Sequence, residues 1–252
     1  MCLLVFAVDR HPRYSFVFAG NRDEFHSRPA RAAQWWEDRD LLGGRDELAG
    51  GTWLGLRRDS SFGVVTNFRE MTPRRDDSRS RGELITAFMQ YGDPFLAKLE
   101  KRAGQYSGYS LIAGNLANCR LQYRSNRASE RQIETGVHGL SNHQLDTPWP
   151  KLDRSVCRLG RILEKPVIET TELFDLLADR EQAATDSLPD TGIGRELEQL
   201  LSSPFIVSPN YGTRCSTAIL LDRSGLLQFV ERSFDVDGKT TGENQFEFQV
   251  SH

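Results

Sequence analysis

The chain begins with an apolar run, "CLLVFAV" at residues 2–8, and the pattern returns at 14–19 as "YSFVFA". Both runs are rich in residue types that favour strands. The "DRHPR" between them holds Pro12, so the pattern predicts a β-hairpin. Further strands are predicted at 53–57, 62–68 ("FGVVTNF"), 108–113 ("GYSLIA"), 119–124, 131–135, 216–222 ("STAILLD") and 226–232. In the middle of the chain the period changes. Within 80–91, Leu84, Ile85, Phe88 and Met89 fall on one face of a helix. A second helix is predicted over 94–103. A third follows the stripe Leu152, Val156, Leu159, Ile162 and Leu163, closed by Pro166. Two more are predicted at 171–178 and 195–201. Strands come first, helices cluster centrally and strands return, which predicts an α+β fold with antiparallel sheet and not an alternating βαβ wind. Residues 181–193, with Gly, Pro and Asp, are the best candidate for a mobile loop.

Composition narrows the class. The 252 residues suffice for a sizeable core, and one domain over 1–252 is expected. With 38% hydrophobic and 27% charged residues the chain is globular. A net charge of −3 gives no electrostatic footprint for nucleic acid. The stretch "REMTPRRDDSRSRGE" at 69–83 mixes both signs and is expected to be a solvated loop. No run approaches the roughly 18 apolar residues of a membrane span, so no transmembrane segment is expected. The first apolar run ends at Val8, before Asp9 and Arg10, without the pattern of a signal peptide. A cytoplasmic location is therefore expected. The four cysteines form no CxxC, which predicts thiols and no zinc framework. Gly43-Gly44 and Gly50-Gly51 lack the Lys-Ser/Thr of a phosphate loop and are expected in turns. His26, His138 and His143 are expected to be structural, and Trp35, Trp36, Trp53 and Trp149 to be core or pocket wall.

The chemistry centres on Cys2. A small side chain at position 2 allows an aminopeptidase to remove Met1. The freed α-amine, with an ordinary pKa of ~7.7–8.0, then serves as a built-in base for the thiol. The bland alternative is a small hydrophobe opening a strand. In a hairpin the end of the second strand returns beside the start of the first, which places Arg22 and Asp23 of "AGNRDEFHSRP" near Cys2. A cation there favours thiolate, and a carboxylate orients the ammonium. The alternative is a surface ion-pair cluster that contributes little. Adjacent strand residues point to opposite faces. Either a bulge lies here, or one of Asp23 and Glu24 is not the partner of the amine. Cys157 sits in a helical stripe, and Cys119 and Cys215 lie in or beside strands, so these three are expected to be packing thiols.

Five segments in order, "NRDEFHSRP" (21–29), "GGTWLGL" (50–56), "TNFRE" (66–70), "GLSNHQLDTPWPK" (139–151) and "YGTRCSTAILL" (211–221), resemble the NRDE family, also called the transport and Golgi organisation protein 2 family. That family is similar to N-terminal nucleophile hydrolases. The resemblance implies an α+β fold built as a four-layer αββα sandwich. Relatives of the cysteine type, such as penicillin V acylases and bile salt hydrolases, imply roles for matching positions. Cys2 would be the nucleophile, Arg22 the support of its thiolate and Asp23 the contact of the α-amine. Asn67 would contribute to an oxyanion hole, Asn142 would polarise the carbonyl, and Arg214 would be a late active-site arginine. In those acylases the arginine and aspartate are separated, whereas Arg22 and Asp23 are adjacent. The implied function is an amidohydrolase or acyltransferase on a small amide or acyl substrate, needing no cofactor and no metal. The alternative is a non-catalytic carrier on the same scaffold, in haem trafficking or lipid and acyl-coenzyme A homeostasis, with haem as cargo.

Overall fold

The computed structural model describes residues 3–71 and 78–251. The first hairpin forms as the pattern predicts. Strand β1 (Leu3–Val8) pairs antiparallel with β2 (Tyr14–Phe25), with Leu3 opposite Asn21 and Val8 opposite Phe16. β2 runs beyond its apolar stretch because β11 (Tyr211–Asp222) pairs along its other edge, from Tyr14 to Phe25. With β10 (Gly136–Leu140), β12 (Leu226–Phe234) and β13 (Thr240–Gln249), these make a sheet of order β10-β1-β2-β11-β12-β13. A second sheet runs in chain order through β3 (Ala30–Trp35), β4 (Leu42–Asp46), β5 (Leu54–Leu56), β6 (Ser61–Asn67), β7 (Tyr109–Asn115), β8 (Arg120–Ser125) and β9 (Arg131–Gln132). Every pairing between these strands is antiparallel.

Alternation along the strands builds the layers. Leu4, Phe6, Phe16 and Phe18 join Phe62, Val64, Ile112 and Phe229 in a core between the sheets. The Phe62 ring meets Phe16 and Phe18 edge-on, with centroids at 5.4 and 5.6 Å. Full burial of each such ring is worth about 1.5–3 kcal/mol relative to exposure. Leu3, Val5, Ala7, Val17 and Ala19 belong to a separate core, with α3 (Pro150–Ile162) and α4 (Thr170–Leu177) over the first sheet. α1 (Gly82–Tyr91), through Leu84, Ile85, Phe88 and Met89, and α2 (Asp93–Leu99), through Phe95, Leu96 and Leu99, cover the second sheet. The result is α+β, in the four layers αββα.

Close approaches set the position of α1. A Cβ on Gly55 would stand 2.9 Å from the Ile85 Cγ2, and one on Gly51 only 2.6 Å from the Gly82 carbonyl carbon. The helix start therefore lies directly against the loop before β5.

Several expectations change. Gly43 and Gly44 lie in strand β4 and not in a turn. A Cβ on Gly43 would overlap the Leu54 carbonyl, and one on Gly44 the Trp53 indole. These glycines make room for neighbours that cross the strand. The predicted helix 94–103 divides into α2 and a 3-10 turn, Glu100–Gln105. The strand predicted over 131–135 shortens to β9, and β3, β10 and β13 carried no recognised signal.

Candidate functional site

A pocket of about 250 Å³ opens at the end of β2, between the two sheets and the start of α1. β2 contributes Arg22 and Glu24. Trp53 and Thr52 form one wall, Asn67 at the end of β6 another, and Arg79 to Gly82 bring the α1 start to the rim. Trp53 is the wall because Gly44 leaves space for its ring.

Arg22 is 3% exposed. Its guanidinium carbon lies 4.2 Å from the Trp53 ring centroid, a cation–π stack. No hydrogen-bond acceptor for this guanidinium occurs among the described residues. Asp23, the next residue, is not part of the lining and takes a hydrogen bond from the Thr213 hydroxyl at 2.7 Å. Glu24 shares the pocket with Arg22. The alternation expected of a strand thus holds along β2, and the acid beside Arg22 in the pocket is Glu24. The bulge lies on the neighbouring strand. β11 pairs Thr213 with Asp23 and Cys215 with Arg22, so Arg214 is the extra residue.

Arg214 is half-buried, and its Nη1 donates to the carbonyls of Phe25, His26 and Arg28, at 3.0, 3.2 and 3.3 Å. Burial lowers its pKa, and the nearby Arg22 charge adds to this. Arg214 thus ties down the chain after β2 and does not line the pocket. Asn67 and Asn142 do come together: the Asn142 amide nitrogen donates to the Asn67 carbonyl at 3.1 Å. Asn67 lines the pocket, and Asn142 is not part of the lining. Cys2 lies outside the described residues. Arg22 is one step beyond Asn21, the partner of Leu3.

The sequence reading missed three features. Arg69 was expected in a solvated loop, yet its side chain is 8% exposed and its Nη1 donates to Glu198 Oε2 at 2.6 Å. Its backbone N–H donates to the Asn142 carbonyl at 2.6 Å, so this buried pair braces the Asn67–Asn142 contact. Residues 72–77 of that loop lie outside the described residues. Second, Cys215 sits on the Arg22 side of its strand, hydrogen-bonded to Glu231. Burial pushes the Cys215 thiol well above its ordinary range and pushes the Glu231 carboxyl up as well. Glu231 also accepts the Ala33 N–H of the facing sheet at 2.6 Å. Third, Cys157 is exposed and not packed, while Cys119 is half-buried with its pKa raised by burial.

The histidines have structural settings. His138 pairs with Asp146 at 3.1 Å, and that hydrogen bond raises its pKa. His143 lies against Phe68 and Trp149, and burial, followed by the Arg69 charge, lowers its pKa. His26 bonds to the Ser208 carbonyl. Among the described residues no group of three or more His, Cys, Asp or Glu could hold a metal, and no helix is long and apolar enough to cross a membrane.

Comparison with known proteins fits this architecture. A C. elegans N-acylethanolamine-hydrolysing acid amidase ortholog superposes with a TM-score of 0.50 at 10% identity, over 87% of this chain and 92% of that one. The C2A mutant of conjugated bile acid hydrolase from Clostridium perfringens superposes at 0.52 and 9% identity, over 98% and 92%. These show the N-terminal nucleophile hydrolase fold. In sequence, the transport and Golgi organization 2 homolog of Mus musculus is 34% identical over 99% of both chains, and the Homo sapiens homolog 34% identical over 92% of this chain and 93% of that one. The family model described as transport and Golgi organisation 2 matches residues 1–236. The chain belongs to the transport and Golgi organisation 2 family.

Proposed function

We propose that the protein is an N-terminal-cysteine amidohydrolase or acyltransferase acting on a small amide or acyl substrate, with Cys2 as nucleophile after removal of Met1. The observation that carries this reading is the buried Arg22 guanidinium, which shares a polar pocket with Asn67 at the end of the first hairpin. A buried cation without a hydrogen-bonded acceptor favours an anion beside it, and a thiolate meets that need. The fold supports the same reading, and the polar lining suits a small amide better than the apolar face of a haem.

The thiolate attacks the substrate carbonyl carbon, and charge develops on the carbonyl oxygen. An Asn67 amide N–H aimed at that oxygen would supply about 2.7–4 kcal/mol of transition-state stabilisation. Asn142 acts through Asn67 by holding its carbonyl. The C–N bond breaks, and the α-ammonium gives its proton to the leaving amine. Water then attacks the thioester with the α-amine as base, releasing the acid and restoring the thiol. In the acyltransferase variant an acceptor amine replaces the water. No metal or cofactor enters these steps.

The test combines intact mass with limited iodoacetamide labelling and peptide mapping. The expected mass lacks Met1. Cys2 should be alkylated faster than the exposed Cys157, and Arg22→Ala should slow Cys2 alone. A retained Met1, or a Cys2 no faster than Cys157, overturns the proposal.

A further inference from the structure

The pocket carries a charge pattern that thiolate support does not exhaust. Both of its lining carboxylates converge on one arginine: Arg28 Nε lies 2.7 Å from Asp46 Oδ2 and 4.0 Å from Glu24 Oε2. The other lining cations are Arg22 on β2 and, just before the α1 start, Arg79 and Arg81. Arg79 pairs along the exposed surface with Glu83, which is not part of the lining, and Arg81 donates to the Gly108 carbonyl at 3.2 Å. The positive end of the α1 dipole adds to the same wall. Arg22 is the informative member. It is almost fully buried, stacked on Trp53, and offers a guanidinium edge with no acceptor among the described residues. A guanidinium carries five N–H donors in a fixed fork. One sulfur cannot occupy such a fork, whereas the paired oxygens of a carboxylate or phosphate match it.

We infer that the pocket selects substrates carrying an anionic oxygen group, a carboxylate or a phosphate monoester, held between Arg22 and the Arg79–Arg81 rim. The inference rests on the proposed function only for where the scissile carbonyl lies. The pocket volume of about 250 Å³ admits a small head bearing such a group. Neutral amides of the same shape would leave without an acceptor those guanidinium N–H groups that a single sulfur cannot reach, which is the costlier outcome for a desolvated charge.

Three probes on one amide scaffold separate the possibilities: N-acetylglycine, N-acetyl-O-phosphoethanolamine and neutral N-acetylethanolamine. Binding to the full chain is measured by calorimetry and by the rise in Tm that any native-state ligand produces. At least one anionic probe should bind about tenfold or more tightly than the neutral one, a ratio typical of one charge-assisted hydrogen-bond pair. The advantage should shrink in 0.5 M salt, on the order expected from Debye screening. It should also fall in Arg79→Gln and Arg81→Gln, but not in Arg158→Gln, an α3 arginine outside the lining with the same loss of charge. Arg79 is a surface side chain, so its variant remains informative if Arg81→Gln does not fold. A preference for carboxylate over phosphate, or the reverse, identifies the group. Equal binding of anionic and neutral probes, or binding of none, overturns the inference. Selective anion binding by a protein whose Cys2 proves unreactive would leave this inference standing and remove the hydrolase reading.

Discussion

Arg69 shows how far one side chain can depart from its local context. It opens a stretch rich in charge, yet it stacks on Trp149 at 4.7 Å and pairs with Glu198, which is itself only 3% exposed. Glu198 also accepts the Thr191 N–H and hydroxyl, at 2.9 and 2.5 Å. A buried pair of this kind is weak evidence for net stability, but losing one partner strands the other charge. Glu198→Gln should therefore lower unfolding stability by about 3–5 kcal/mol, read as a lower urea midpoint at an unchanged m-value. Because Arg69 N–H holds the Asn142 carbonyl, the same variant should also slow alkylation of Cys2 if Asn67 belongs to the reacting centre. Nothing in the spacing of "TNFRE" distinguishes a buried arginine from a solvated one. Its partner lies 129 positions away, on α5 (Arg195–Leu200).

At the level of elements, legibility followed periodicity. The apolar runs of β1 and β2 and the stripe of α1 came directly from the pattern, because each element buries a face that its own residues define. β4 was missed because its glycines serve others: Gly44 leaves room for Trp53, on which Arg22 stacks. β13 was missed because "TTGENQFEFQ" lies largely exposed at a sheet edge and owes its extended form to pairing with β12. The site followed the same rule. Arg22 and Asn67 line one pocket and Asn142 hydrogen-bonds to Asn67, while Asp23 accepts from Thr213 and Arg214, the extra residue of the β11 bulge, binds backbone carbonyls. The contact of α1 with the loop before β5 gives a test at this scale. Gly51→Ala places a methyl against the Gly82 backbone, where neither side can rotate aside. It should cost about 1–3 kcal/mol as an overpacking change, measured by thermal unfolding. It should also weaken anion binding by moving Arg79 and Arg81.

The whole molecule joins chain-distant parts. In the first sheet, β1 and β2 from the start of the chain stand between β10 on one side and β11, β12 and β13 on the other. A chain ending at Leu200 would keep the complete second sheet yet leave the whole outer edge of β2 unpaired. Such a chain should show no cooperative unfolding transition and should bind a hydrophobic dye, as measured by calorimetry and fluorescence. The same arrangement has a temporal consequence. Ribosomes add about 5–20 residues per second, so β2 emerges on the order of ten seconds or more before β11. Throughout that interval its row of N–H and C=O groups is a template for any passing strand. Sheets closed by such distant segments fold slowly, in milliseconds to seconds even once complete. The nascent first hairpin is thus the stage at which this protein most needs protection from its neighbours, long before the pocket it will border exists.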